Sequence, residues 1–598
     1  MDKRTIIGIV LIVLITLMMP FYQRWITGDQ PPPPRPVSIT ADSTQEQITP
    51  DSGREKIATP APEPAQVVEN ITQESSRDTI IQESPEVKTL TIENDLFISS
   101  WSTLSGGNPL SWELKKYKHH QGGLVNLIRE NSLRINFLNF DGKEIRLTDY
   151  NLYTPTFDGK KVLLDRNNPE FELEFTLPIQ EGRIVKTIKF YHDRYSFDVS
   201  IRFERLQDYV INRRYFVGWE KGLPSTETNI DDDLNYSRAY TFMADELVNV
   251  DASDKYGEED LNGRVEWAAI RSKYFLISVI PANPSRTSGV TIGGVKDSRE
   301  GVPEKDFNFN IETQYEPLVI HSDSFKVFLG PLDYYVLNKY DANLEDLVMN
   351  KDWYERLFRP ISLLIIPAFK FLYRFIPNYG FVIIVFSILI KLLLHPLTKK
   401  SYQSMSEMQY LQPKMTEMRE KYKDDPQRIN KEMMRLYKEH KINPLGGCIP
   451  MLLQMPVLFA LFIVFRSTIQ LRNQPFILWI NDLSAPDALH LGFQLPFVGD
   501  SIHVLPILMG LTMIWQSKMT MTDPKQKFMI YFMPVFLIFI FYSLPSGLNL
   551  YYAIFNVLSM FQTRMIKKKM HPEGEPAPAA PSSTPAKSGK TNRGKRKK

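Results

Sequence analysis

YGFVIIVFSILIKLLLHPLTKK, residues 379–400, is the stretch that decides the fold of this 598-residue chain. Apart from Lys391, its first nineteen residues contain no Lys, Arg, Asp or Glu. A helix of about 20 apolar residues is long enough to cross the hydrocarbon core of a bilayer. Lys399 and Lys400 follow at once, and basic residues beside a span favour the cytoplasm. The stretch therefore predicts a membrane-spanning helix whose C-terminal end is cytoplasmic.

Five other stretches are apolar enough to span a membrane, which gives six predicted spans. In chain order they are Thr5–Phe21, Pro450–Phe465, Val504–Met519, Phe528–Leu544 and Ser546–Gln562. The first of these ends in the bulky residues Met18–Phe21, whereas a signal-peptide cleavage site needs small residues. We therefore expect an uncleaved anchor over residues 1–24, with a cleaved signal peptide as the alternative.

Basic residues follow every second span. After the third span, Gln474–Ile502 contains no Lys or Arg. The clusters after the second, fourth and sixth spans are Lys399 and Lys400, then Lys518, Lys525 and Lys527, then Arg564 and Lys567–Lys569. By the positive-inside rule both termini are cytoplasmic. The pattern predicts a multi-pass membrane protein.

The region between the first two spans changes in composition twice. Residues 25–88 contain four consecutive prolines from Pro31 and continue with Ser, Thr, Gln and Glu without an apolar period, which predicts a disordered tether. Residues 346–377 contain an apolar run, Pro360–Ile376, that carries Lys370 and Arg374 on one face, with Pro367 inside. That run predicts an amphipathic helix lying in the membrane interface.

Residues 89–345 have the alternation of β-strands. Ile184–Tyr191 is a candidate strand, and His192–Arg194 a candidate hairpin turn after it. In the next strand the apolar residues are two apart and would share one sheet face: Tyr195, Phe197, Val199, Ile201 and Phe203. We expect a large antiparallel all-β sandwich. It must hold together without an intrachain disulfide, because Cys448 is the only cysteine.

The predicted membrane core, residues 378–569, includes a cytoplasmic helical hairpin over residues 398–446. Apolar residues recur at spacings of three and four on both sides of Asp424–Pro426, and Pro413 should kink the first helix. The two stripes can simply pack against each other. Alternatively, the methionines can contact varied apolar partners, since methionine is flexible; these are Met405, Met408, Met415 and Met418.

Several polar residues lie inside the predicted spans, and none of these spans contains Asp or Glu. Lys391 and Ser387 share a helix face, and the others are Gln454, Gln516, Asn549 and Asn556. Such side chains can bond across helix interfaces. Lys391 lies six residues before Leu397, about 9 Å from the cytoplasmic end, so its amine could also snorkel there. The functional alternative is a water-filled groove with one positive charge.

Three stretches carry a family resemblance: KLLLHPLTKKSYQSMSEMQYLQPK at 391–414, NPLGGCIPMLLQMPVLFALF at 443–462 and FYSLPSGLNLYY at 541–552. They resemble the Oxa1/YidC family of membrane insertases. LSGGNPLSWELKKYK at 104–118 and KYFLISVIP at 273–281 are similar to the Gram-negative members. The resemblance implies a periplasmic β-supersandwich, an all-α membrane core of five spans and an N-terminal anchor span.

The resemblance also implies a function. A groove open to the cytoplasm and lipid would receive segments of nascent membrane proteins, with Lys391 where the family commonly has arginine. Lysine keeps the positive charge but lacks the planar guanidinium with which arginine binds a carboxylate through two hydrogen bonds. Gln454, Tyr551 and Tyr552 match other groove positions. Implied partners are the Sec translocon with SecD/SecF/YajC-type accessory subunits, the ribosome and membrane lipids, with no cofactor or metal.

The tail, residues 570–598, is a Pro/Ala spacer followed by a basic end that includes Lys595, Arg596, Lys597 and Lys598. A flexible basic tail attracts ribosomal RNA. The alternative is a topology and solubility signal.

Other functional classes fit less well. A hydrolase could use Ser387 and Lys391, but no glycine-rich elbow, GxSxG, HExxH or P-loop accompanies them. A secondary transporter usually has acidic residues at midplane. A membrane-anchored periplasmic carbohydrate-binding protein would leave five spans unexplained. We therefore expect an insertase and no enzyme.

Overall fold

A computed structural model describes residues 87–129, 132–154, 161–299, 301–349, 353–423, 425–440, 442, 449–495, 499–520 and 527–570. The predicted anchor, nearly all of the predicted tether and the basic tail lie outside the described residues. Lys595, Arg596, Lys597 and Lys598 therefore stay predictions.

The first half of the described chain, the β domain, is built almost entirely of strands. They are β1 Thr89–Glu93, β2 Phe97–Ser102, β3 Pro109–Lys118, β4 Leu124–Asn126, β5 Leu133–Asn139, β6 Glu144–Arg146, β7 Lys161–Leu163, β8 Glu170–Ile179, β9 Gly182–Tyr191, β10 Ser196–Glu204, β11 Val210–Trp219, β12 Arg238–Met243, β13 Glu246–Val250, β14 Gly257–Asn262, β15 Val265–Arg271, β16 Phe275–Pro281, β17 Thr287–Arg299, β18 Val302–Gln314 and β19 Ile320–Pro331.

These strands form three sheets. Five strands have the order β4-β3-β2-β1-β7, eight the order β13-β12-β15-β16-β19-β10-β9-β8, and six the order β14-β17-β18-β11-β5-β6. The all-β prediction is confirmed. The named strands of these sheets pair antiparallel, as expected, except that β1 pairs parallel with the short strand β7. Side-chain alternation is the same in both kinds of pairing, so the sequence pattern could not distinguish them.

The predicted hairpin is present. Strand β9 pairs antiparallel with β10, and Phe190 lies opposite Phe197. Phe197, Val199 and Ile201 are fully buried, whereas the polar residues between them are partly exposed. Burial of alternate apolar side chains stabilises this face of the sheet.

Strand β19 joins the other two sheets to the eight-stranded one. The Trp112 indole of β3 donates to the Leu329 carbonyl at 3.0 Å, and the Tyr215 hydroxyl of β11 donates to Asp323 at 2.7 Å. Trp112 also stacks on Phe97, with ring centroids 3.7 Å apart. These two polar groups between sheets are thus paired, which avoids the cost of burying an unsatisfied donor.

Helices dominate the rest of the chain. They are α1 Ile230–Tyr236 and α2 Tyr334–Leu337 in the β domain, then α3 Trp353–Phe375, α4 Tyr379–Tyr410, α5 Gln412–Lys421, α6 Pro426–Glu439, α7 Ile449–Ser467, α8 Val504–Thr520, α9 Lys527–Phe541 and α10 Ser546–Met570. Strands β20 Leu489–Leu495 and β21 Gly499–Ile502 pair between α7 and α8.

Helix α3 covers the stretch predicted to be amphipathic and begins one to two turns earlier. Its strongly exposed apolar side chains form one stripe: Trp353, Leu357, Leu364, Phe371 and Phe375. The opposite face buries Ile365, Ile366 and Phe369 against the other helices. An exposed apolar stripe on a packed helix is typical of contact with lipid or another apolar partner.

Helix α4 is longer than the predicted span. It passes Leu397 without interruption and ends at Tyr410, and a new helix then begins with Pro413 in its first turn. A proline is tolerated in the first turn of a helix, where its missing N–H has no helical partner. The predicted kink at Pro413 is therefore a break between two helices.

The helices at the predicted spans differ in length. Among the described residues, α4 alone is long and apolar enough to cross a membrane by length and composition, and Leu452–Ser467 and Ile530–Phe541 are shorter apolar helices. Helix α9 has 15 residues, which corresponds to about 22 Å at the usual rise. It is shorter than the roughly 30 Å hydrocarbon core of a typical bilayer.

Candidate functional site

Lys391 lies where α4 packs against α10. Its ammonium donates to the Ser559 hydroxyl at 2.6 Å and to the Tyr402 hydroxyl at 3.2 Å, and it lies 4.2 Å from the centroid of the Phe555 ring. The side chain is 9% exposed. The amine therefore bonds inside the helix bundle in this structure, so it does not snorkel to the surface.

Ser387, one turn before Lys391, is fully buried and donates to the Ile383 carbonyl of its own helix at 2.7 Å. Its hydroxyl is satisfied within α4, as is common for serine in apolar helices. One turn after Lys391, His395 bonds through Nδ1 to the Gln562 side-chain amide at 2.8 Å. The face of α4 that contains Lys391 thus bonds α10 at two levels.

Gln454 of α7 reaches the same helix further along. Its side-chain amide donates to the Tyr551 hydroxyl, and both residues are buried. The amide oxygen of the same side chain, Oε1 of Gln454, is buried without a hydrogen-bond partner. Burying an unpaired acceptor is costly, so this oxygen is suited to accept a hydrogen bond from an incoming group.

The remaining polar residues of the predicted groove have varied environments. Asn556 is 3% exposed and donates to the Thr512 hydroxyl of α8 at 3.3 Å. Asn549 is fully buried and donates to the Phe541 carbonyl at 3.2 Å, at the end of α9. Tyr552 and Gln516 are half-buried. Along α10, polar contacts therefore reach α4, α7, α8 and α9.

The hairpin of α5 and α6 has a small core of its own. Leu411, Met415, Met433 and Leu436 are buried there, and Met408 and Met418 pack against them while half-buried. Met415 is 3% exposed, which is what mutual packing of the two stripes predicts. Met405 lies in α4 and is half-buried. Client contact by these methionines stays a prediction.

A second polar cluster joins the helices to the β domain, and the sequence analysis did not predict it. Arg466, at the end of α7, forms an ion pair with Asp232 of α1, which also bonds the Lys273 ammonium at 2.8 Å. Burial of Asp232 opposes its ionisation, but the charges of Lys273 and Arg466 hold its pKa well below the usual range.

Six residues after Arg466, Arg472 is buried against the same surface. Its guanidinium donates to Glu227 at 2.7 Å and to the Lys118 carbonyl at 2.9 Å. Side-chain exposure is 2% for Arg472 and 12% for Glu227. Buried arginines with carboxylate partners form strong, oriented contacts.

The sequence contained a clue to this interface. Arg466 and Arg472 flank the end of the third predicted span, on the side where the positive-inside rule expects few basic residues. Basic residues in such a place need acidic partners, and acidic residues are abundant in the β domain. Tyr402 and Phe555, which contact Lys391, were missed because a tyrosine beyond the predicted span end and one phenylalanine among many carry no sequence pattern.

Metal ligation is not indicated for the described residues, which contain no group of three or more His, Cys, Asp or Glu that could hold an ion.

Two family profiles match the chain. The profile described as "60Kd inner membrane protein" matches residues 371–573, and the "YidC periplasmic domain" profile matches residues 89–361. Their boundary falls within α3, so the two profiles divide the chain into the β domain and the helices that form the candidate site.

Individual relatives match over the full length. The membrane protein insertase YidC of Prosthecochloris aestuarii is 36% identical over 613 aligned residues and covers 100% of both chains. That of Chlorobaculum parvum is 34% identical over 614 residues, again covering 100% of both. A crystal structure of an active YidC insertase, with its first transmembrane domain resolved, covers 80% of this chain and 94% of its own at 17% identity and a TM-score of 0.32.

Identity at this level over whole chains establishes the family: the chain belongs to the YidC family of membrane protein insertases, inner-membrane proteins, and it has an all-β periplasmic domain and a helical C-terminal region.

Proposed function

We propose that this chain inserts nascent membrane proteins into the inner membrane, and helps them fold, through a hydrophilic groove open to the cytoplasm. The observation that carries the proposal is the set of polar contacts along α10. Lys391 of α4 and Gln454 of α7 bond to α10, and Asn556 of α10 bonds to α8. Polar side chains in apolar helices are costly, and they are typical of a path for polar groups.

The groove lowers the cost of moving a polar tail past lipid. Lys391 supplies the positive charge that attracts carboxylates of a client's translocated tail, and Gln454 supplies an unpaired amide oxygen. Ser387, Gln516, Asn549, Tyr551, Tyr552 and Asn556 complete the polar path. The client's apolar segment leaves sideways into lipid, where burial of its side chains drives insertion.

The proposed topology has six spans, with both termini in the cytoplasm and the β domain in the periplasm. The hairpin, including Met405, Met408, Met415 and Met418, is on the cytoplasmic side and receives emerging apolar segments. Lys595, Arg596, Lys597 and Lys598 contact the ribosome. The chain acts alone or beside the Sec translocon and its SecD/SecF/YajC-type accessory subunits.

We propose no catalytic reaction for the chain. In a serine–lysine hydrolase the lysine amine hydrogen-bonds the serine hydroxyl that acts as nucleophile. Here the Ser387 hydroxyl donates to the Ile383 carbonyl, and the Lys391 amine donates to Ser559 and Tyr402.

Depletion of the chain in its host, followed by a proteomic survey of the inner membrane, tests this function. We expect membrane proteins with short acidic translocated tails to fail first. In proteoliposomes, the purified chain without Sec components should still insert such a client. An unchanged membrane proteome together with inactive proteoliposomes would contradict the proposal.

A further inference from the structure

Two aromatic rings and two hydroxyls enclose the Lys391 ammonium. The ring centroids of Phe555 and Tyr402 lie 4.2 Å and 5.2 Å from Nζ. The Ser559 and Tyr402 hydroxyls accept its hydrogen bonds at 2.6 Å and 3.2 Å. Tyr402 is 3% exposed and Ser559 is fully buried. These protein groups therefore replace most of the hydration shell that the ammonium would have in water.

An ammonium taken out of water is unstable unless other groups solvate it. The hydrogen bonds of Lys391 within the described residues go to neutral hydroxyls, and the neighbouring His395 is bonded to Gln562 instead. A ring face attracts a cation through its quadrupole, most strongly where water is excluded. The Phe555 ring therefore favours the charged form of this lysine, and the hydroxyls of Tyr402 and Ser559 solvate it.

Tyr402 also connects the Lys391 amine to the part of α4 that leads into the hairpin. Both residues lie on α4, eleven positions apart, and therefore on nearly the same face of one continuous helix. Ser559 accepts from Lys391 and donates to the Phe555 carbonyl at 2.8 Å, which fixes the direction of its hydroxyl. The amine is thus held from both helices.

We propose that Phe555, Tyr402 and Ser559 are positioning residues that keep Lys391 charged and in place until a carboxylate of a client tail replaces the hydroxyls. The inference rests on the proposed function and deepens it. A client carboxylate adds a direct Coulomb attraction to the Lys391 ammonium that the neutral hydroxyls of Tyr402 and Ser559 lack. An acidic client therefore gains from the exchange, whereas a neutral client does not.

The test uses two clients that differ only by Asp or Asn in the translocated tail, with insertion into proteoliposomes measured for each. The readout is the ratio of the two insertion rates. Phe555→Leu keeps an apolar side chain but removes the nearer ring, and should lower the ratio by about tenfold. Phe561→Leu, on the same helix but with an exposed side chain, is the matched control and should leave the ratio unchanged.

Rescue separates charge maintenance from simple packing. Arginine stays charged in surroundings that neutralise lysine. The double variant Lys391→Arg/Phe555→Leu should therefore regain the preference for the acidic client, whereas lost packing would not be repaired. A wild-type ratio in Phe555→Leu, or no recovery in the double variant, overturns this inference but leaves the proposed function standing. If the wild-type chain inserts both clients equally, the groove charge proposed above fails, and this inference fails with it.

Discussion

Arg466 at the end of α7 and Asp232 of the β domain form a largely buried ion pair, although 234 positions separate them in the chain. Asp232 also pairs with Lys273, so one carboxylate contacts two cations. The β domain therefore makes a specific contact with helix α7, in addition to its covalent connection through α3.

Asp232→Asn should release the β domain from this contact. Removing one partner of a buried pair leaves uncompensated charge and costs about 3 to 5 kcal/mol. Arg472, whose side chain is 2% exposed, should then become accessible, so trypsin should cut after it and create a new N-terminus at Asn473. Asp231→Asn, at the exposed neighbouring aspartate, is the control. Equal cleavage in both variants would mean that the ion pair does not hold the domain.

The same contact predicts a pH dependence. Because the folded-state pKa of Asp232 is depressed, its contribution to docking is fully present above the ordinary Asp pKa near 4 and is lost as the pH falls through the lower folded-state value. Protection of Arg472 should thus be constant from pH 8 to about pH 5. Loss of protection near pH 6 would show that another group controls docking.

Charge at Lys391 should decide which clients insert. Lys391→Arg should retain activity, because the charge remains. Lys391→Glu should impair clients with acidic translocated tails through like-charge repulsion, whereas some clients should tolerate Lys391→Ala, since apolar burial also drives insertion. Rates for a series of clients with zero to three tail carboxylates measure this. Wild-type rates for acidic tails in Lys391→Glu would exclude a groove charge.

Short-range periodicity predicted much of the fold. Alternation placed the inner face of β10 correctly, and apolar length placed α4, α7 and α10, because both signals act within a few residues. Two features were not predicted, for the same reason. The parallel pairing of β1 with β7 and the partner of Arg466 depend on residues distant in the chain, for which a single sequence has no pattern.

The candidate site shows the same limit on a smaller scale. Lys391 could be identified, because a lysine inside an apolar run is rare. Its contact with Tyr402 could not, because the predicted span ended at Leu397 whereas the helix continues to Tyr410. Helix boundaries depend on packing as well as on composition.

Lys186 should make the stability of the β domain depend on pH. It is buried, its amine donates to the Gly106 and Gly107 carbonyls at 3.0 and 3.1 Å, and burial lowers its pKa to about 7. The unfolded state then binds the proton more tightly, so the free energy of unfolding should rise between pH 7.5 and 9.5 by roughly 2 to 3 kcal/mol.

Lys186→Met should remove that slope. Urea unfolding of the full chain in detergent, followed by tryptophan fluorescence, measures it at both pH values; Trp101 and Trp112 are fully buried in this domain. Lys189→Met, at a partly exposed lysine on the same strand, is the control. The same slope in both variants would assign the pH dependence to other groups.

Much of Thr89–Asp341 should be removable without loss of insertion, provided that the anchor and α3 remain, because the groove residues belong to other segments. The deletion leaves Arg466 and Arg472 without their carboxylate partners. Adding Arg466→Gln and Arg472→Gln should therefore raise the yield of the shortened chain. Membrane abundance and insertion rate per molecule are the two measurements. If every shortened chain reaches normal abundance in the membrane but inserts no client, the β domain is required for insertion and the prediction is wrong.

The hairpin should contact clients before the groove does. Met418 is half-buried at the edge of the hairpin core, whereas Met415 is 3% exposed inside it. A cysteine at position 418 should therefore crosslink to ribosome-bound nascent chains, and at shorter chain lengths than a cysteine at position 552, in a background with Cys448→Ser. A cysteine at position 415 is the matched control, because its burial should prevent early crosslinks unless the hairpin opens. If crosslinks at 418 form only after those at 552, the hairpin is a strut for α4 and does not capture clients.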